Sequence, residues 1–238
     1  QFCWHKAKEL NKDIIFEIGT EEQSGSTNTT EELEHVLSSV NQFCSKNDLP
    51  IPFFTVFQCG TKVMETRNVG SFDSPLRIKD EIPAEIQLPK ILEACERHNV
   101  FLKEHNADYL SNEALSWHPR LGIHAANVAP EFGVTETIAL LEILEKNNLY
   151  NLSEKFIDIS YESMKWKKWM LPNSKTTYRE KAIISGHYVF SNPEIKEVIN
   201  ESKFLLKEKD ISLDDYLKKQ IEKSIIRYLI NFRLISSE

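Results

Sequence analysis

The sequence predicts an α/β fold of TIM-barrel-like (β/α) architecture, the second half of a (β/α)8 barrel followed by a helical C-terminal extension. Three observations predict it. Short β-branched and aromatic runs recur in series, each followed by a helical pattern. These runs are too apolar to alternate, as in strands of a parallel sheet that helices cover. No strand run appears from residue 151 onward.

The elements follow in order. QFCWHKAKEL reads as a helix, and 13–18 (DIIFEI) as a buried strand bounded by Gly19 and Thr20. Thr29 and Glu32 have the spacing of a capping box, and Leu33, Val36, Leu37, Val40 and Phe43 follow at helical spacing, so a helix covers about 30–45. The unit repeats as a strand at 53–57, a long irregular segment over 59–87 and a helix at 88–98. A third strand at 100–103 precedes a short helix at 112–117. A fourth at 121–124 precedes a helix at 134–146. SNPE at 191–194 supplies an N-cap and a first-turn Pro, and Ser212 with Asp215 caps the last helix. The expected organisation is a half-barrel over 1–150 and a helical extension over 151–238 packed on the same domain. A small open doubly wound sheet is the alternative topology. Half a barrel leaves two strand edges, so pairing with a missing first half or with another chain is expected. The chain opens without Met, inside a helix, which fits a piece of something longer.

Composition narrows the function. The 238 residues are 41% hydrophobic and 27% charged with only 7 Gly and 9 Pro, an ordinary packed chain rather than a disordered one. A net charge of −7 argues against nucleic acid or an anionic membrane as partner. Cys3, Cys44, Cys59 and Cys95 form no CxxC pair, and no apolar run is long enough to span a bilayer, so reduced thiols and a cytoplasmic location are expected. His98, His118 and His187 are read as surface or capping residues, and Cys59 as a small buried hydrophobe. MKWKKWM (164–170) reads as a helix packing Trp166 and Trp169 inward with its lysines outside.

Chemistry in parallel α/β folds collects past the carboxyl ends of the strands. Those ends carry Gly19, Thr20, Glu21 and Glu22; then Gln58, Cys59, Gly60, Thr61 and Lys62; then Glu104, His105, Asn106, Asp108 and Tyr109; and last His124, Asn127 and Glu131. Glu21, His105, Asp108 and His124 are candidate ligands of one divalent metal, zinc being the expected ion. Glu21 and Asp108 are the candidate catalytic acid–base pair. GTK at 60–62 offers a phosphate contact through Lys62, and Asn127 is a further candidate substrate contact.

FEIGTEE at 16–22, FQCG at 57–60, HNADY at 105–109 and the LGIHAAN segment resemble, in order, the four strand ends in the second half of the non-catalytic, accessory chain of class II tagatose-bisphosphate aldolase. The segments at 179–201 and 214–234 resemble its closing helices, so the likeness covers nearly the whole chain. The resemblance implies a role in carbohydrate metabolism with sugar phosphates as substrate class and a catalytic aldolase chain, or a second copy, as partner. It carries over Gly19, Thr20, Glu21, Gln58, Gly60, His105, Asp108, Tyr109 and Gly122. The chain departs from the family at Lys103, where an acidic residue is usual, and in longer loops at 61–85 and 125–133. The competing expectations are a metal-dependent aldolase or epimerase in its own right and a sugar-binding remnant without turnover.

Overall fold

The computed structural model describes residues 1–19, 29–74 and 82–236. The chain divides into two compact units, Gln1–Lys62 with Asn68–Asn127, and Val63–Arg67 with Val128–Glu238. The second unit thus takes in the helix that begins at Pro130 as well as the residues from 151 onward.

The first unit opens with α1 (Phe2–Glu9) and β1 (Glu17–Gly19). Only the end of the expected 13–18 strand pairs, and Ile15 stays exposed. α2 (Thr30–Lys46) starts at the expected box: Thr29 Oγ1 accepts from the Glu32 amide at 3.2 Å, and the Glu32 carboxylate accepts from the Thr29 amide at 2.7 Å. β2 (Phe54–Phe57) leads into the segment expected to be irregular, which carries the two-residue strands β3 (Val63–Met64) and β4 (Arg67–Asn68). α3 (Ala84–Arg97) begins a turn earlier than expected, directly after Pro83, and buries Ala84, Gln87 and Leu88.

β5 (Phe101–Glu104) precedes α4 (Asn112–Leu121), whose N-cap Ser111 accepts from the Ala114 amide at 3.1 Å. α4 runs through most of the region expected as connection and fourth strand, and it ends on Gly122 in the left-handed region at φ 85. The fourth strand is instead β6 (Ala125–Ala126). LGIH misleads because Leu121 closes the helix and Ile123 turns into the core, while the pairing residues are two alanines of low strand preference.

β1, β2, β5 and β6 form a parallel sheet in that sequential order, with Glu17 level with Phe54 and Phe101, and Lys103 level with Ala125. The fold is a helix-rich α/β one with a parallel sheet, consistent with part of a TIM-barrel-like fold. One sheet face is sealed: Ile18, Phe57 and Leu102 join Leu33 and Leu37 of α2 and Leu88, Ile91 and Ala94 of α3 in one apolar cluster. Contrary to the expectation of strands buried throughout, Glu17, Gly19 and Phe101 are exposed on the opposite face.

The second unit is helical. It contains α5 (Pro130–Lys146), α6 (Tyr150–Glu162), a 3-10 turn at Lys165–Trp169, α7 (Tyr178–Gly186), α8 (Pro193–Lys207) and α9 (Leu213–Asn231). Its core joins Leu140, Leu141 and Leu144 of α5 to Phe156, Ile195, Val198 and Leu206, all nearly inaccessible. Asn192 and Ser212 cap α8 and α9 as their sequences require, Pro193 opening α8. KWKKW (165–169) forms the 3-10 turn rather than an α-helix, preceded by Met164 in the left-handed region. Its lysines are exposed, and Trp166 and Trp169 are half-buried with their indole N–H groups on Tyr161 O and Tyr188 Oη. None of the described helices is long and apolar enough to cross a membrane.

Candidate functional site

The loops that follow β2 and β5 form one hydrogen-bonded assembly around Glu104. This residue ends β5 and is inaccessible to solvent. One carboxylate oxygen accepts from the Cys59 amide at 3.0 Å and the Thr61 hydroxyl at 2.7 Å, while the other has no hydrogen-bond partner. Burial raises the carboxyl to about pKa 7 against the opposing pull of the Cys59 and Thr61 donors. The main chain of Glu104 accepts from the Asn127 amide at 2.8 Å, and Asn127 O accepts from Ala107 N at 3.0 Å, which fixes the end of β6 to the same loop.

Asn68 makes the second tie. Its amide group donates to the carbonyls of Asn106 and Asp108 at 2.9 Å each, and its oxygen accepts from the Lys62 and Gly70 amides. Gly60 stands at φ 90, and a Cβ on Gly70 would sit 2.1 Å from Gly60 O, so only glycine allows these two strands of loop to meet. Asn106 and Tyr109 both occupy the left-handed region, at φ 61 and φ 60; for a bulky aromatic such a backbone is uncommon. Asp73 accepts from the Ser111 amide and hydroxyl at 2.8 Å each, so the loop after β2 also holds the start of α4.

The sequence-expected residues fall into three groups. Gln58, Gly60, Lys62, His105, Asp108, Tyr109 and Asn127 lie on the loops past the strand ends, as expected. Gln58 and Asp108 are buried, and the Gln58 amide donates to Thr61 O. His105 donates its main-chain amide to Phe57 O, and its Nδ1 lies 3.1 Å from the Asn106 amide nitrogen. Gly19 ends β1, and Thr20, Glu21 and Glu22 lie outside the described residues.

His124 stands apart from His105. It precedes β6, its amide donates to Leu102 O at 3.1 Å, and its Nδ1 accepts from the Leu102 amide at 3.3 Å. The register therefore sets it three residues short of His105, about 10 Å along the strand direction. Its ring packs on Phe101 with centroids 4.6 Å apart, at the amino end of the sheet. Among the described residues, no three His, Cys, Asp or Glu side chains are grouped to hold a metal ion.

Gly122 caps a helix rather than ending a strand. His118 is no surface residue: it is buried on α4 with Nδ1 3.2 Å from Ala114 O, and burial lowers it to about pKa 4. His98 does cap α3 and bonds Glu34 at 2.7 Å. Burial pushes the Cys59 thiol far up, which keeps it protonated and inert. Glu131, at the start of α5, serves the helical unit, accepting from Arg227 at 3.1 Å and from the Tyr228 hydroxyl. The sequence places Glu104 at a strand end without marking its role, and it does not mark Asn68 at all. A carboxylate closing the run FLKE was a signal for the first. Asn68 sits in a segment without periodicity and gave none.

No protein-family model matches the chain, and no curated protein does. Solved structures match in fold. The chain is similar to a probable tagatose 6 phosphate kinase from Sinorhizobium meliloti at 14% identity and TM-score 0.61, covering 95% of this chain and 65% of that one. It is also similar to the fructuronate-tagaturonate epimerase UxaE from Cohnella laeviribosi at 11% identity and TM-score 0.51, covering 98% of this chain and 46% of that one. The chain thus spans less than two thirds of either structure's length, and at these identities the likeness is one of fold.

Proposed function

We propose that this chain acts in carbohydrate metabolism, binding a sugar or sugar phosphate past the carboxyl ends of its sheet, as the second half of a barrel that serves as accessory chain to sugar-phosphate aldol chemistry. The observation that carries the reading is the assembly that joins the ends of β2, β5 and β6 through Glu104, Asn68 and Asn127. It holds the candidate contacts Gln58, Gly60, Lys62, Asp108 and Tyr109 on fixed loops at the end of a parallel sheet where ligands bind. The two similar structures are named for proteins of tagatose and hexuronate chemistry, which agrees with the sugar class. The accessory role is supported by the resemblance of the strand-end motifs.

Titration calorimetry with tagatose 6-phosphate, tagaturonate and tagatose tests the ligand class, and binding of at least one is expected. Co-expression with a class II aldolase catalytic chain tests the role: the two chains elute together and the aldolase gains activity. Absence of all sugar binding would overturn the ligand reading, and separate elution would overturn the accessory one.

A second reading is turnover by the chain itself as aldolase or epimerase, and it predicts that the chain alone washes solvent deuterium into a ketose. No step of either reading is assigned to a metal.

A further inference from the structure

Residues level with one another in a parallel sheet share a face. Glu17, Phe54 and Phe101 form one row, and Gly19, Val56, Lys103 and Ala125 form the next row on the same face. This face lies opposite the one sealed by α2 and α3. Parallel sheets ordinarily carry apolar residues on both faces, so a lysine and a glutamate here depart from the rule. Lys103 reaches across β2 to Glu17, with Nζ 2.7 Å from the carboxylate and side-chain exposures of 20% and 47%. An ion pair this accessible adds little stability, so packing does not account for it.

The surroundings suit a ligand. In the same row Gly19 adds no side chain and Ala125 only a methyl beside the pair. Phe53, Phe54 and Phe101 form an aromatic group at the amino end of the strands, with centroids 4.8 to 6.1 Å apart. The ammonium keeps N–H donors beyond the one given to Glu17, enough to hold an oxyanion, and the carboxylate accepts from hydroxyls.

We propose that Lys103 and Glu17 set ligand specificity, with Lys103 binding the anionic group of a sugar, phosphate or carboxylate, and Glu17 orienting the ammonium and accepting from sugar hydroxyls. The inference rests on the carbohydrate reading above.

Calorimetry with the full chain and tagatose 6-phosphate, tagaturonate and uncharged tagatose tests it. Lys103→Met weakens the anionic ligand roughly tenfold, leaves tagatose unchanged and removes the salt dependence of binding. Lys103→Arg restores most of the affinity. Glu17→Gln, which keeps an oxygen acceptor but loses its charge, weakens tagatose and the anionic ligands alike by roughly twofold, whereas a merely structural pair would leave the ratio of anionic to uncharged affinity the same in Lys103→Met as in wild type. The two anionic probes separate phosphate from carboxylate as the group held. Wild-type protein that binds a charged sugar with Lys103→Met binding it equally well overturns this inference alone. Wild-type protein that binds none of the three overturns the carbohydrate reading and this inference with it. Circular dichroism melting of each variant at the wild-type temperature confirms that a lost affinity is not a lost fold.

Discussion

Both units bury polar side chains, and they do so with different chemistry. The sheet unit buries titratable groups, Glu104, Asp108 and His118, alongside Gln58 and Thr61. In the helical unit the fully buried polar residues are the hydroxyls Thr137, Ser153, Ser160, Ser185 and Ser202. Thr137 and Ser202 return their hydrogen bonds to carbonyls one turn back in their own helices, Gly133 O and Val198 O. The carboxylate that the helical unit does enclose, Glu131, is given an arginine and a tyrosine hydroxyl. Glu104 receives a backbone amide and a threonine hydroxyl, and burial dominates its proton affinity. The shifted groups of the helical unit, such as Glu136 and His187, are only partly buried, whereas the sheet unit encloses Glu104 and His118, and it stores the larger share of proton affinity.

The largest expected effect lies in the helical unit. Leu144→Ala, in the core of α5, costs about 3 kcal/mol by urea unfolding, and the loss is the same at pH 5 and pH 8. A loss that changed with pH would break the comparison.

The sheet unit supplies the pH dependence. Glu104 has its folded pKa raised from 4.5 to about 7, so its contribution is full below pH 4.5 and is lost as pH rises through about 7. His118 has its folded pKa lowered from 6.5 to about 4, so its contribution is full above pH 6.5 and is lost as pH falls through about 4. The two oppose each other between pH 4.5 and 6.5. Glu104→Gln gains on the order of 3 kcal/mol relative to wild type between pH 4.5 and 8. His118→Gln gains a similar amount relative to wild type as pH falls from 6.5 to 4. Unfolding midpoints across that range for the three proteins check both signs, and parallel curves would contradict the burial of these groups.

Smaller effects sharpen the contrast. Thr177→Ala removes the hydroxyl that caps α7 and costs about 1 kcal/mol, without pH dependence, by thermal unfolding. Arg179→Ala opens the 2.7 Å pair with Glu145 on the surface of the helical unit and costs about 0.5 kcal/mol or less, a loss that salt masks. If a divalent ion copurifies with the chain, His124→Ala leaves its stoichiometry unchanged by plasma mass spectrometry, since His124 stands at the far end of the sheet.

Local chemistry made much of the fold legible. The box Thr29–Glu32, the first-turn Pro193 and the Ser212 cap announce their helices because each satisfies amides that the helix itself leaves free. The fourth strand was not legible, because β6 is two alanines held by pairing with Lys103 and Glu104 rather than by their own preference. Of the candidate site, the polar strand ends of β2 and β5 could be read from type and position. The separation of His124 from His105 could not, since it depends on a register that the LGIH run obscures.

By itself the sequence determined the order of strands and helices, the apolar cluster under the sheet and the polar character of the strand ends, because periodicity and capping act over a few neighbouring residues. Tertiary structure alone decided that Glu104 is desolvated, that Asn68 joins two distant loops and that Lys103 meets Glu17 across an intervening strand. Burial and long-range pairing depend on which segments meet in space, and the groups concerned stand 38 to 86 residues apart along the chain.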